Sequence, residues 1–118
     1  MTSRWIAVLS ALVLALGAAG TAAAHPSSKR GTMVKVTAKD FSFHLSSMSV
    51  AHGRVTFIIK NAGKTAHDFM IAGHKSRLIQ PGKTGRLTVT LKAGRWPFKC
   101  TVDSHARLGM KGVLTVHK

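Results

Sequence analysis

From residue 32 onward, apolar and polar residues alternate in short runs. Val34 and Val36 alternate with Lys35 and Thr37, Phe41 and Phe43 with Ser42 and His44, and Leu87, Val89 and Leu91 with Thr88 and Thr90. Val55, Phe57 and Ile59 alternate with Thr56 and Lys60, interrupted by Ile58. A period of two sends successive side chains to opposite faces, so each run predicts a strand with one buried face. Phe69 and Ile71 continue that period from His67, which reads as part of a strand. Phe98 and Cys100 share a face opposite Lys99, so Cys100 is expected to end a strand, and Val113 and Val116 mark a last short run. The breaks Ala51-His52-Gly53, Asn61-Ala62-Gly63-Lys64, Gln80-Pro81-Gly82-Lys83 and Lys92-Ala93-Gly94 supply turn residues between the runs. Residues 104–110 have room for one helical turn at most. Short strands at regular spacing with Gly and Pro breaks predict an all-β domain, a sandwich or a barrel.

The N-terminus departs from this pattern. Arg4 is followed by an apolar stretch over residues 6–19, and then by Ala22-Ala23-Ala24. A positive start, a short apolar core and small residues at the end predict a secretory signal peptide over residues 1–24, cleaved after Ala24. The apolar stretch falls short of the roughly 20 residues that a comfortable membrane span needs. An uncleaved anchor is the competing reading. Residues 25–31 (HPSSKRG) are polar and predict a flexible arm, which leaves residues 32–118 as one small domain. The expected location is secreted, periplasmic or on the cell surface.

Charge changes the picture of partners. The chain holds 18 Lys and Arg against 3 acids, a formal charge of +15. The acids are Asp40, Asp68 and Asp103, and there is no Glu. Such a field governs association rather than fold. It suits an acidic protein, an anionic membrane or a cell-wall surface. The cations are scattered, with no basic helix and no aromatic-rich binding signature, so nucleic acid is not expected. A charge that merely keeps the domain soluble is the plainer reading.

Candidate chemistry centres on the only cysteine. Cys100, His105 and Met110 follow one another at five-residue steps, and His67 lies upstream. An exported chain with one cysteine cannot close an internal disulfide, so the thiol is reactive, intermolecular or a ligand. Each of these side chains alone reads as packing: a lone cysteine is most often a small buried hydrophobe. Together, one thiolate, two imidazoles and a weak thioether make the donor set of a mononuclear blue-copper site. Gly109 and Gly112 flank Met110 and permit a tight return of the loop.

Residues 61–71 (NAGKTAHDFMI) and 98–116 (FKCTVDSHARLGMKGVLTV) resemble the cupredoxins, the small blue-copper proteins of the plastocyanin and azurin type. The four-residue spacers on both sides of His105 are most similar to those of sulfocyanin and rusticyanin. The resemblance implies a Greek-key β-sandwich over residues 32–118. It also implies one copper ion held by His67, Cys100 and His105 in a near-trigonal plane, with Met110 as a weak axial ligand. The implied role is one-electron transfer as a monomer, without enzymatic activity, with electrons entering through the edge of His105. Lys99, Arg107 and Lys111 border the ligand loop and point to an acidic redox protein or a membrane-bound respiratory complex as partner. Copper delivery or sequestration, and a basic binding module without a metal, are the alternatives.

Two positions depart from the family pattern. Relatives commonly carry Asn after the first histidine, where this chain has Asp68, and often Pro in the Cys-to-His loop, where it has Asp103-Ser104. One expectation is that both carboxylates favour the oxidised site and lower its potential. The other is that they serve only local turns.

Overall fold

The computed structural model describes residue 17 and residues 31–118. The expected signal peptide and arm lie outside the described residues except for Gly17 and Gly31. Nine strands follow in order: β1 (Thr32–Lys39), β2 (Ser42–Leu45), β3 (Ser49–Ala51), β4 (Gly53–Asn61), β5 (Met70–Ile71), β6 (His74–Lys75), β7 (Thr84–Leu91), β8 (Gly94–Lys99) and β9 (Lys111–His117).

They form two sheets, one ordered β2-β1-β4-β7 and the other β3-β9-β8-β5-β6. Most neighbours are antiparallel, while β1 runs parallel to β4 and β3 parallel to β9. Parallel neighbours cannot be joined by a hairpin, so the chain must cross between sheets. The result is the expected all-β Greek-key sandwich.

Alternation explains the burial. In β1, Val34, Val36 and Ala38 face inward, and in β4 Val55, Phe57 and Ile59 do the same. The facing sheet contributes Ile71, Phe98, Leu114 and Val116. Between the sheets, Phe57 lies 4.9 Å from Phe69, and Phe69 stacks on Phe98 at 5.3 Å, measured between ring centroids. Burying one such ring contributes roughly 1.5–3 kcal/mol before any gain from ring geometry.

Some strand expectations shift. β3 and β6 lack an alternating run and owe their pairing to neighbours: β3 lies along β9, and β6 hairpins onto β5. In β9 the inward residues are Leu114 and Val116, and Val113 faces outward. His67 is not in a strand but makes an isolated bridge with Ile79, and Cys100 stands one residue beyond β8. The bridge is locally antiparallel: His67 N–H donates to the Ile79 carbonyl at 3.1 Å, and Ile79 N–H returns the bond at 2.7 Å.

Candidate metal centre

Three connections meet near the end of the sandwich. The β4–β5 connection carries His67, the β8–β9 connection carries Cys100 and His105, and the short β1–β2 turn carries Asp40 and Phe41.

The β8–β9 connection curls as expected. Leu108 N–H bonds back to the carbonyls of Ser104 and His105, and Gly109 N–H to Ala106, which makes a single helical turn. Gly109 then takes φ +122°, a left-handed value that suits glycine. Met110 closes the loop at both ends. Its N–H donates to the His105 carbonyl at 3.1 Å, and its carbonyl accepts from Cys100 N–H at 3.0 Å. Met110 is fully buried.

The β4–β5 connection is shaped by buried Asn61. Its amide donates to the carbonyls of Thr65 and Ile79, both at 2.8 Å, and its oxygen accepts from Gly63 N–H at 2.9 Å. A buried amide with all these bonds satisfied fixes the loop. His67 is thereby delivered to the interior with no solvent exposure.

Three of the four predicted donors converge. His67 Nδ1 and His105 Nδ1 are 3.1 Å apart, and Cys100 Sγ lies 3.9 Å from the first and 3.7 Å from the second. All three residues are buried, and they form the one such cluster among the described residues. A point in their plane lies about 2.1 Å from each donor, against metal–imidazole and metal–thiolate bonds of about 2.0–2.3 Å. The triangle is therefore of a size to hold one ion, and a thiolate with two imidazoles suits copper.

The protonation chemistry agrees. His67 Nε2 lies 2.7 Å from Asp40 Oδ1. A carboxylate only accepts, so Nε2 carries the proton and Nδ1 presents its lone pair to the centre. Burial pushes the Cys100 thiol up, while the backbone N–H groups of Asp68 and Val102 favour its thiolate. An ion in the triangle supplies the charge that drives the proton off.

The three carboxylates divide the work differently from the expectation built on sequence neighbours. Asp68 lies in the chain next to His67 but reaches Thr101, accepting from its N–H at 2.6 Å and from its hydroxyl. It cross-links the two ligand-bearing connections. Asp103 is exposed at φ +43°, as a turn residue would be. Asp40, 27 residues before His67, is the acid hydrogen-bonded to the His67 ring. The Lys64 amide beside it, with the His67 and Thr65 bonds, lowers its pKa to about 2. Phe41 adds a lid: its ring centroid is 4.7 Å from that of His105 and 6.3 Å from that of His67.

Asp40 and Phe41 were not legible as site residues. They lie in a turn whose sequence carries no ligand spacing, and the only hint was the scarcity of acids. His44, His52, His74 and His117 are exposed, and His25 lies outside the described residues.

Comparison with known proteins supports the same architecture. Auracyanin B shares 18% identity at a TM-score of 0.66, covering 74% of this chain and 89% of that one. The dithionite-reduced auracyanin of the photosynthetic bacterium Roseiflexus castenholzii shares 18% at 0.64, covering 75% and 98%. Auracyanin A, a "blue" copper protein of the green thermophilic photosynthetic bacterium Chloroflexus aurantiacus, shares 18% at 0.60, covering 75% and 100%. At this identity the likeness speaks to fold alone. No curated protein sequence matches the chain. The family model described as a cupredoxin-like domain matches residues 7–116. Since that match spans nearly the whole sequence and the fold agrees with it, the chain belongs to the cupredoxin-like family.

Proposed function

We propose that the protein is an exported blue-copper electron carrier, with copper held by His67, Cys100 and His105 and with Met110 as the weak axial ligand. The observation that carries this reading is the buried triangle of one sulfur and two nitrogens, already of bonding size. Copper bound there supplies reversible one-electron exchange between Cu(II) and Cu(I). The protein's part is to hold the donors still. Cys100 is tied by its N–H to Met110, His67 by its bridge to Ile79, and the two connections to each other by Asp68 and Thr101. Donors fixed in this way move little when the charge of the site changes, so little reorganisation opposes transfer. Burial excludes water as a ligand.

The same burial favours retention of copper over delivery. His67, Cys100 and His105 are 0%, 1% and 7% exposed, so an acceptor's ligands have little access to the ion. His105 is the most exposed of the three and is the proposed edge for electron entry.

The partner we propose is an acidic redox protein or membrane-bound complex. On the outer face, Lys75, Met70, Lys99 and Lys111 form one row across β6, β5, β8 and β9. Lys99 and Lys111 sit directly opposite each other, a like-charge pair that weakens the sheet unless an anion meets it. Beside the row, Met70, Pro97 and Val113 line a groove of about 770 Å³. An acidic surface with an apolar contact suits this face. The reading includes a signal peptide over residues 1–24, cleaved after Ala24, and a domain that acts as a monomer outside the cytoplasm.

The test is addition of Cu(II) to the purified protein, followed by visible absorption and electron paramagnetic resonance. An intense thiolate-to-copper band, absent in Cys100→Ser, supports the reading. A colourless complex overturns it. Met110→Leu is expected to keep the band and to shift the potential.

A further inference from the structure

We propose that Asp40 is a positioning residue that biases the site toward oxidised copper, by fixing the His67 tautomer and placing a negative charge on the far side of its ring. This rests on the copper reading above.

Asp40 is held independently of His67. Its Oδ2 accepts from Lys64 N–H at 2.8 Å, and its Oδ1 from the Thr65 hydroxyl at 3.0 Å and from Thr65 N–H at 3.4 Å. The same Oδ1 meets His67 Nε2 at 2.7 Å. The carboxylate is thus aimed by the loop before any metal enters. Gly63 leaves the necessary room: a Cβ there would press on Asp40 Oδ1 and lie 3.0 Å from His67 Nε2. The side chain of Asp40 is 23% exposed and that of His67 is not exposed at all, so the charge is screened by solvent on one side only.

A carboxylate behind a ligating histidine does two separable things. It holds the proton on Nε2, which frees Nδ1 for the metal, and it makes the imidazole a stronger donor. The first helps either oxidation state. The second helps Cu(II) more, because the oxidised ion carries one more positive charge. The couple is Cu(II) plus one electron giving Cu(I), with no bond to Asp40 made or broken and no proton moved. With its oxygen toward His67 Nε2, an asparagine would fix the same tautomer without the charge, giving up the bond that Oδ2 accepts from Lys64 N–H; Thr65→Val gauges the effect of losing a loop bond alone.

The experiment uses the full chain loaded with copper and reads the visible and paramagnetic-resonance spectra, the Cu(II) affinity and the reduction potential. Asp40→Asn is expected to stay blue, with Cu(II) affinity falling roughly tenfold relative to Cu(I). That ratio corresponds to about 59 mV upward for one electron. Asp40→Ala is expected to raise the potential as well and to weaken Cu(II) binding further, because the tautomer is no longer held. Thr65→Val removes a hydroxyl that lies 3.0 Å from the carboxylate and 3.4 Å from His67 Nε2 while keeping the charge, and is expected to move the potential much less than Asp40→Asn does. A blue Asp40→Asn protein with the wild-type potential overturns the inference and leaves the copper reading standing. A Thr65→Val shift as large as that of Asp40→Asn also overturns it, since loop geometry would then be the cause. A wild-type protein that forms no thiolate-to-copper band overturns both. If Asp40→Ala does not fold, Asp40→Asn decides.

Discussion

Asp68 and Thr101 are joined by two hydrogen bonds across 33 residues of chain, one from the backbone N–H at 2.6 Å and one from the hydroxyl. Each partner follows a proposed ligand directly, Asp68 after His67 and Thr101 after Cys100. The pair therefore sets the distance between an imidazole and the thiolate. Asp68→Ala leaves the Thr101 N–H without its acceptor and is expected to cost about 1–3 kcal/mol, read by denaturant unfolding of the copper-free protein. Asp68→Asn costs less, because an amide oxygen accepts the N–H while its NH2 donates to the hydroxyl oxygen. The same variant tests the expectation that the carboxylate lowers the potential: an upward shift supports it, and an unchanged potential confines Asp68 to holding the two connections together.

Gly63 offers a second test. Alanine there forces Asp40 or His67 to move, since its Cβ would lie 3.0 Å from His67 Nε2 and closer still to the carboxylate. Disturbing a group that orients a ligand typically costs 10–100-fold in metal affinity. Gly63→Ala is expected to show that loss by copper competition titration, with the strand signal in circular dichroism retained.

The pH dependence of the copper-free protein follows from two groups. Asp40 titrates near 2 when folded, below its ordinary 3.8. Its contribution is complete above about pH 4 and is withdrawn as pH falls through 2. The Cys100 thiol is raised by burial above its ordinary 9.0. Once the unfolded chain ionises its thiol and the folded one does not, stability falls, so loss begins as pH rises past about 9. Thermal melts across pH are expected to show both flanks. Loading with copper is expected to abolish the alkaline one, because the thiolate is then already formed.

The lysine row predicts salt-sensitive kinetics. Replacing Lys75, Lys99 and Lys111 with Gln together is expected to slow association with an acidic redox protein roughly tenfold at low ionic strength. The difference should fade as salt shortens the screening length. Stopped-flow electron transfer across a salt series checks this, and equal rates at low salt for the two proteins would remove this face from the encounter.

Much of the domain was legible because period-two alternation is a local signal. Val34, Val36, Phe57, Ile59, Val89 and Leu91 are buried where the pattern put them. β3 and β6 were not legible, because two- and three-residue strands exist only through their partners. Val113 misled because β9 is partly apolar on both faces, and the groove over Pro97 explains why the outer one tolerates it. The residues that converge, His67, Cys100 and His105, stood out by residue type and spacing. Asp40 did not, since nothing local ties a turn between the first two strands to a histidine 27 residues later. Asp68 was flagged for its neighbour in sequence, but its partner is Thr101, and only the fold reveals that.

The donor triangle draws on two connections, with His67 lying 33 residues before Cys100 and 38 before His105. An unfolded chain therefore presents scattered ligands and no site. Copper acts as a ligand of the native state alone, and at a thousandfold excess over Kd it adds about 4 kcal/mol to folding. Occupancy then becomes a quality mark on each molecule: wherever proteases remove unfolded chains, loaded chains should outlive empty ones, and the metal supply itself would set how much of the protein persists.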